Sequence, residues 1–460
     1  MLKCFVHKSP GSVPIVACLP EKWSVWVTQQ PKLTQHWLQN INFIPNPGNY
    51  SLVPSGSGEL KQVLLIIHDE TDFWTFGLLP GVLPDGHYHI EGIDEAKLLQ
   101  IALAWGLGAY EFTRYKPSIR PLAQLLIPDK NLRLLAIKLE AIYRVRNLIN
   151  TPADDMTPTE LAESVFEMGK NYQAVVTQIV DDGLRTHYPA IYTVGKASCH
   201  KPRLVDLTWG NSQHPKITLV GKGVCFDSGG YNLKSSSNML MMKKDMGGAA
   251  NAAGLAEMIM AYQLPVRLRL LIPAVENMIS GNAYKPGDII QTRQGLTVEI
   301  GNTDAEGRLI LADALSEADS ESPELLIDFA TLTGAARSAV GTEISAFFTD
   351  HEQLAQDIIR HSQRVHDPVW RLPLYKPYQK LLDSKFANLN NCGSSPFAGA
   401  ITAALFLQNF IHEKTPWLHF DFNAYNATTR PGRPEGGEAM AILTVFSYLI
   451  ERYQPSEFIP

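Results

Sequence analysis

Gly301-Asn302-Thr303-Asp304-Ala305-Glu306-Gly307-Arg308-Leu309 is the stretch from which the chain is best read. It follows an alternating run, Leu296-Thr297-Val298-Glu299-Ile300, that predicts a strand. If the backbone stays extended past Gly301, period-two alternation sends the side chains of Asn302, Asp304, Glu306 and Arg308 to one side. Two carboxylates and a guanidinium then share one space. Ala305 and Gly307 face the other way and let something pack closely behind. From Leu309 the spacing becomes helical, with Leu309, Ala312, Leu315 and Ala318 on one stripe. The acidic row is thus expected at the end of a strand and before a helix, where ligands bind in open α/β sheets. Taken alone, the stretch reads equally well as a solvated turn with Arg308 as its ion-pair partner.

Upstream, Ile217-Thr218-Leu219-Val220 predicts a buried strand that opens into Gly221-Lys222-Gly223-Val224-Cys225-Phe226-Asp227-Ser228-Gly229-Gly230. This is not a phosphate loop, because Lys222 lies on the wrong side of the glycines. Nor is it a nucleophile elbow, because Phe226 stands where the first glycine belongs. Lys234 follows, then Met242-Lys243-Lys244-Asp245-Met246-Gly247-Gly248-Ala249-Ala250, whose small residues suit a tightly packed helix beginning near Asp245. Four carboxylates, Asp227, Asp245, Asp304 and Glu306, fall at or near the ends of neighbouring elements. Bunched carboxylates repel unless cations compensate, and two divalent ions balance four negative charges. Four separately solvated carboxylates would need no metal.

The rest of the chain bounds the fold. Its 460 residues allow two or three domains. Ser24-Val25-Trp26-Val27-Thr28, Val63-Leu64-Leu65-Ile66-Ile67 and Leu122 to Ile127 read as strands, and Asp94 as the cap of a helix carrying Ala96, Leu98, Leu99, Ala102, Leu103 and Leu107. Residues 1–128 are read as an N-terminal α/β domain with a scaffold, assembly or regulatory role. Residues 129–150 have the spacing of a connecting helix that stops at Asn150-Thr151-Pro152. Thr157, Pro158 and Glu160 predict a capped helix start. Beyond it, runs at Val175–Val180, Arg203–Leu207, Ile217–Val220, Arg267–Ile272 and Leu325–Phe329 alternate with helical stretches. The expected class is therefore α/β: two α/β domains, the second (151–460) built on a mostly parallel central sheet flanked by helices.

A formal net charge of −6 leaves no basic footprint, which argues against a nucleic-acid-binding regulator as the alternative function. The five cysteines are scattered without a Cys-x-x-Cys pair, so no disulfide framework or thiolate zinc site is indicated, and a reducing compartment follows. No signal peptide is evident in Met1 to Pro20, and no apolar run approaches the ~18 residues of a membrane span. The expectation is a cytoplasmic protein with no membrane partner.

Val220-Gly221-Lys222-Gly223 through Asp227-Ser228-Gly229-Gly230 with Lys234, together with Asn302-Thr303-Asp304-Ala305-Glu306-Gly307-Arg308-Leu309, resemble the leucyl (cytosol) aminopeptidase family, peptidase family M17. The resemblance covers roughly residues 129 to 445, including Asn147-Leu148, Thr151-Pro152-Ala153 and Thr331-Leu332-Thr333-Gly334-Ala335. The first unit matches only by length and position. The resemblance implies a catalytic two-metal aminopeptidase domain at 151–460. Asp227, Asp304 and Glu306 would hold one metal, with the main-chain carbonyl of Asp304 taking part. Lys222, Asp227, Asp245 and Glu306 would hold the other. It also implies that Lys234 stabilises the oxyanion, that Arg308 holds a bicarbonate acting as general base, and that Leu332 and Gly334 align the substrate backbone. Met242, Thr331 and Gly334 match pocket-wall positions for the first side chain, and Asn423 and Asn426 stand near where leucine-preferring members carry small or apolar residues. Carboxylate ligands suit Mn²⁺ or Mg²⁺, and Zn²⁺ is compatible. The implied partners are peptides with a free N-terminus and, in a homohexamer, further copies of the chain.

Overall fold

The computed structural model describes residues 2–119 and 123–454, in two compact units. The first comprises residues 2–119, 123–140 and 427–435, the second 141–426 and 436–454.

The first unit holds a six-stranded sheet. Its pairings are parallel except for Tyr50–Pro54, which runs antiparallel to Leu60–Ile66 at one edge. The expected strand from Leu122 appears as Ala123–Leu126, and Leu122 itself lies outside the described residues. Asp94 caps the helix Glu95–Gly108 by accepting the Lys97 N–H at 2.8 Å. One expectation is corrected: Ser24 to Thr28 is not a strand but part of the helix Trp23–Gln29. Trp23, Trp26 and Val27 recur at helical spacing and pack on a core of Cys18, Leu38, Val53, Leu64 and Ile66, while Val25 points outward. Packing of two half-buried indoles on one helical face outweighs the β-propensity of the valines.

Helix Leu132–Asn150 begins after a tight turn at Asp129–Asn131 and runs from the first unit into the second. Helix Pro158–Tyr172 starts on the Thr157–Glu160 capping box that the sequence predicts.

A nine-stranded mixed sheet is the frame of the second unit. Trp417–Asp421, Leu325–Ala330, Lys216–Gly221 and Arg267–Asn277 lie side by side and parallel at its centre. Arg203–Trp209 and Val175–Val180 add antiparallel pairings toward one edge. Toward the other, Ser345–Phe348 pairs antiparallel with Trp417–Asp421 and parallel with Val369–Arg371. Every residue of Leu325–Ala330 is buried, as expected of a strand covered on both faces. Successive strand residues show which helix covers which face. Val220 joins a cluster with Leu309, Ile310 and Ala314 of helix Glu306–Asp319. Gly221 points the other way, and a Cβ there would stand 2.5 Å from the Cα of Ala249 in helix Gly247–Tyr262. The glycine and alanine run therefore lets that helix lie almost on the backbone of the sheet. Among the described residues, no helix is long and apolar enough to cross a membrane.

Asp313 shows how the Glu306–Asp319 helix is pinned. Its buried carboxylate accepts the N–H groups of Ala190 (2.8 Å), Ile191 (3.2 Å) and Arg293 (2.7 Å). Burial pushes its pKa up to about 7, against the downward pull of these three donors. Asp313→Ala strands them, and each buried unsatisfied donor costs about 1–3 kcal/mol. Urea denaturation is expected to show a loss of about 3 kcal/mol; a loss below about 1 kcal/mol would refute this account.

Candidate active site

Lys222 occupies a break in the central sheet. Lys216–Gly221 and Gly223–Asp227 pair in turn with the same long strand, Arg267–Asn277, and Lys222 lies between them. Its N–H donates to the Phe329 carbonyl and its own carbonyl accepts the Ala249 N–H. Held from both sides, the backbone directs a buried amine into a group of carboxylates. Lys222 Nζ donates to Asp245 Oδ1 at 2.9 Å and to the Thr331 carbonyl at 2.9 Å, and lies 3.2 Å from Glu306 Oε1. Burial opposes its charge, but Asp245, Glu306 and Asp227 outweigh burial and raise its pKa.

The carboxylates arrive from separate elements. Asp227 ends the strand Gly223–Asp227, Asp245 lies in the tight turn Met242–Met246, and Glu306 is the first residue of its helix. All three are buried, with a carboxylate oxygen of each within 4.8 Å of the others. Asp304 stands at the edge of this trio, one third exposed, and is tied to it through Lys234. Lys234 Nζ lies 2.7 Å from Asp227 Oδ2 and 2.6 Å from Asp304 Oδ1, and the charges of Asp227, Asp245 and Glu306 raise its pKa against burial. Burial and then the Asp227 charge push Glu306 up to about 8 and Asp304 up to about 6. Four carboxylates face two ammonium groups, and Glu306 Oε2 is buried with no hydrogen-bond donor. Four carboxylates, one with an unused buried oxygen, suit hard divalent cations, and the Lys222 amine adds one nitrogen donor if it is neutral.

The extended backbone expected past Gly301 is corrected. The strand ends at Glu299 and belongs to a small three-stranded sheet rather than the central one. The chain then turns, with the Asp304 N–H donating to Asn302 Oδ1 at 2.8 Å, and the helix begins at Glu306 rather than near Leu309. The Asn302 side chain offers the backbone an acceptor that ladder pairing does not, so the strand stops. Glu306 and Arg308 therefore come from a helix's first turn, not from one face of a strand. Gly307 does not face away from the acidic groups as expected: its close neighbour is Lys222 of the same centre, whose Cε would lie 2.4 Å from a Cβ at that position.

Arg308 is buried but apart from the lysines. Its Nη1 donates to the Asn391 carbonyl at 2.7 Å, its Nε has no hydrogen-bond partner, and among the described residues it makes no ion pair with a carboxylate. Burial lowers its pKa.

Of the remaining expected residues, Met242 opens the turn that carries Asp245. Thr331 donates its hydroxyl to Asp245 Oδ1 at 2.9 Å. The Leu332 N–H is taken by Asp421 Oδ1 at 3.0 Å, and Gly334 begins the helix Gly334–Val340. Asn423 accepts from Arg337 Nη1 at 3.3 Å and donates to the Tyr425 carbonyl at 2.7 Å. Asn426 is not brought to the carboxylate trio; it donates to Glu438 Oε2 at 2.5 Å, within a buried pair of Glu438 and Arg146.

Three supporting residues lie outside the motifs that the sequence singles out. Asn277 donates to Asp227 Oδ1 at 2.8 Å and to the Thr303 carbonyl at 3.0 Å, joining both motifs. The Asn391 side chain accepts the Gly301 and Asn302 N–H groups and donates to the Asn302 carbonyl. Asp421 holds Leu332 and Thr333 by their N–H groups. Each acts across a long sequence separation, so no local spacing marks it; the Asn390-Asn391-Cys392-Gly393 turn is the only hint.

Comparison with known proteins agrees with this geometry. Residues 143–446 match the family model described as cytosol aminopeptidase family, catalytic domain, and residues 13–128 match the M17 aminopeptidase N-terminal domain. A probable cytosol aminopeptidase 1 of Shewanella oneidensis is 38% identical over 374 residues, covering 78% of this chain and 75% of the relative. Peptidase B of Yersinia pseudotuberculosis is 40% identical over 376 residues, covering 78% and 87%. The crystal structure of cytosol aminopeptidase from Coxiella burnetii superposes with a TM-score of 0.95 at 48% identity, covering 98% of this chain and 100% of that one. The bottromycin maturation enzyme BotP in complex with Mn superposes with a TM-score of 0.84 at 30% identity, covering 96% and 100%.

Proposed function

Since the chain belongs to the cytosol aminopeptidase (M17) family, and is thereby a metallo-aminopeptidase, we propose that it removes the first residue of peptides at the Lys222–Asp227–Asp245–Asp304–Glu306 centre. The observation that carries this assignment is the convergence of buried Asp227, Asp245 and Glu306, with one Glu306 oxygen unused. Asp227, Asp304 with its carbonyl, and Glu306 would hold one divalent ion, and Lys222, Asp227, Asp245 and Glu306 would hold the other. Lys222 would serve as a ligand only in its neutral form, since a ligand needs a lone pair. Mn²⁺ or Zn²⁺ held there would supply Lewis acidity and lower the pKa of a bound water.

The chain's own groups do the rest. Lys234, clamped between Asp227 and Asp304, presents a fixed positive charge to the oxyanion that develops on the peptide carbonyl. The buried Arg308 guanidinium, with Nε unused, holds a bicarbonate that accepts a proton from water. Because Asp421 occupies the Leu332 N–H, the Leu332 carbonyl is the group left to align a substrate N–H. Gly334 offers its own N–H from a helix start, where N–H groups have no intrahelical acceptor. The substrate's free α-amine would be a ligand of the metal-loaded centre, which would limit cleavage to the first peptide bond. Assembly as a homohexamer and a cytoplasmic location complete the proposal, in keeping with relatives named cytosol aminopeptidase.

A peptide amide and its Nα-acetylated twin test it. With Mn²⁺ or Zn²⁺ added, the free-amine peptide is expected to lose its first residue. The acetylated one should show kcat/KM lower by on the order of 10³-fold, because its anchoring interaction is gone. Comparable turnover of the two would overturn the exopeptidase reading.

A further inference from the structure

We propose that Asn277, seconded by Tyr284, is a positioning residue for one half of the metal centre: it sets the affinity of the ion assigned to Asp227, Asp304 and Glu306, and bears much less on the ion assigned to Lys222 and Asp245. This rests on the two-metal reading above and says how one of its two positions is built.

Asn277 comes to the centre through an irregularity in strand pairing. Gly223–Asp227 runs parallel to Arg267–Asn277, and the register steps from Val224 opposite Val275 to Phe226 opposite Glu276, leaving Cys225 without a partner. That one-residue step puts Asp227 opposite Asn277, at the end of both strands. The fully buried Asn277 amide then spends both of its hydrogens on the site: Nδ2 donates to Asp227 Oδ1 at 2.8 Å and to the Thr303 carbonyl at 3.0 Å. Both partners are acceptors, which fixes the orientation of the amide. The slot is closed from behind, since a Cβ at Gly230 would stand 3.1 Å from Asn277 Oδ1 and 3.0 Å from Thr303 Oγ1. The buried Tyr284 hydroxyl gives the Thr303 carbonyl a second donor at 2.7 Å.

These bonds decide what the two carboxylates can offer a cation. Asp227 Oδ1 already accepts from the Gly229 N–H at 2.8 Å and from Asn277, so Oδ2 on the Lys234 side is the oxygen left over. The Thr303–Asp304 peptide is held at both ends, its carbonyl by Asn277 and Tyr284 and its N–H by Asn302 Oδ1. The Asp304 carboxylate springs from that peptide. Asn277 thus ties together, from outside, two side chains assigned to the same ion. Asp245 is held by other groups, Lys222 and Thr331, and receives no hydrogen bond from Asn277 or Tyr284. A clamp that served folding alone would lower stability and leave the two ions equally bound.

The test uses the full-length protein, stripped by a chelator and titrated with Mn²⁺ alone, the free ion being read from its paramagnetic resonance signal. The unmodified protein is expected to bind two ions. In Asn277→Ala the dissociation constant of one is expected to rise ~10- to 100-fold, as loss of an outer partner of a ligand does, and that of the other by less than ~3-fold. Tyr284→Phe keeps the ring and removes only the hydroxyl, so it should weaken the same ion to a smaller extent; it decides the matter if Asn277→Ala does not fold. Two backgrounds identify the ion: the Asn277→Ala loss should persist on Asp245→Ala and shrink on Asp304→Ala. The peptidase rate of Asn277→Ala should be low at limiting Mn²⁺ and recover as Mn²⁺ is raised, with KM for the peptide unchanged. Unshifted binding of both ions, or equal weakening of both, would overturn this proposal alone. Binding of fewer than two ions by the unmodified protein would overturn the two-metal reading and this proposal with it.

Discussion

Glu306→Gln is expected to lower kcat/KM for any peptide by at least ~10³-fold and to reduce the divalent metal retained after desalting. The change is nearly isosteric, so the helix start and its packing are kept. What it removes is a negative charge from a site where three buried carboxylates stand within 4.8 Å. The oxygen most available to a cation, Glu306 Oε2, becomes one half of a neutral amide. If the group were only a structural ion-pair cluster, Glu306→Gln would relieve like-charge crowding and raise stability with no loss of turnover. Metal content by elemental analysis, far-UV circular dichroism and steady-state kinetics on one preparation separate the two cases. Full activity with unchanged metal content would refute the assignment. Asp304→Ala is expected to lose activity in the same way, since it also releases Lys234 from one of its two partners.

Gly307→Ala is expected to cost ~10²-fold in kcat/KM although residue 307 touches neither metal nor substrate. A methyl group there would lie 2.4 Å from Lys222 Cε and 2.8 Å from its Nζ. A lysine tip ordinarily moves aside cheaply. This one is buried and bound to Asp245, Thr331 and Glu306, so displacement breaks contacts that set the centre's geometry. The overpacking itself is expected to cost about 1–3 kcal/mol of stability. A double-mutant cycle isolates the cause: on a Lys222→Ala background the Gly307→Ala penalty should vanish, because the space is then free. An additive penalty would show that the methyl group clashes elsewhere.

These two residues illustrate how differently parts of the site could be read. Asp227, Asp245, Asp304, Glu306, Lys222 and Lys234 are visible as residue types because glycine-rich and small-residue stretches around them are unusual for a surface. Their two motifs resemble one family closely. The strand alternation used to place Asp304 and Glu306 on one face was nonetheless mistaken: the Asn302 turn ends the strand and a helix starts at Glu306. Only part of the grouping survived: Asp304 and Glu306 still border one centre, while Arg308 turns to the Asn391 carbonyl. Trp23 to Gln29 failed in the same manner, since propensity favoured a strand and the packing of two half-buried tryptophans favoured a helix.

Local spacing was enough for the α/β class, the Thr157 and Asp94 caps, five of the nine strands of the central sheet and the identity of the acidic and basic groups, because each depends on residues a few positions apart. The partners of those groups could come only from the folded chain. Asn277 reaching Asp227 across 50 residues, Asn391 bracing the Asn302 turn across 89, and Arg337 held by Asn423 across 86 are contacts between distant segments. Side-chain periodicity reports which face a residue lies on, not which remote segment packs against that face.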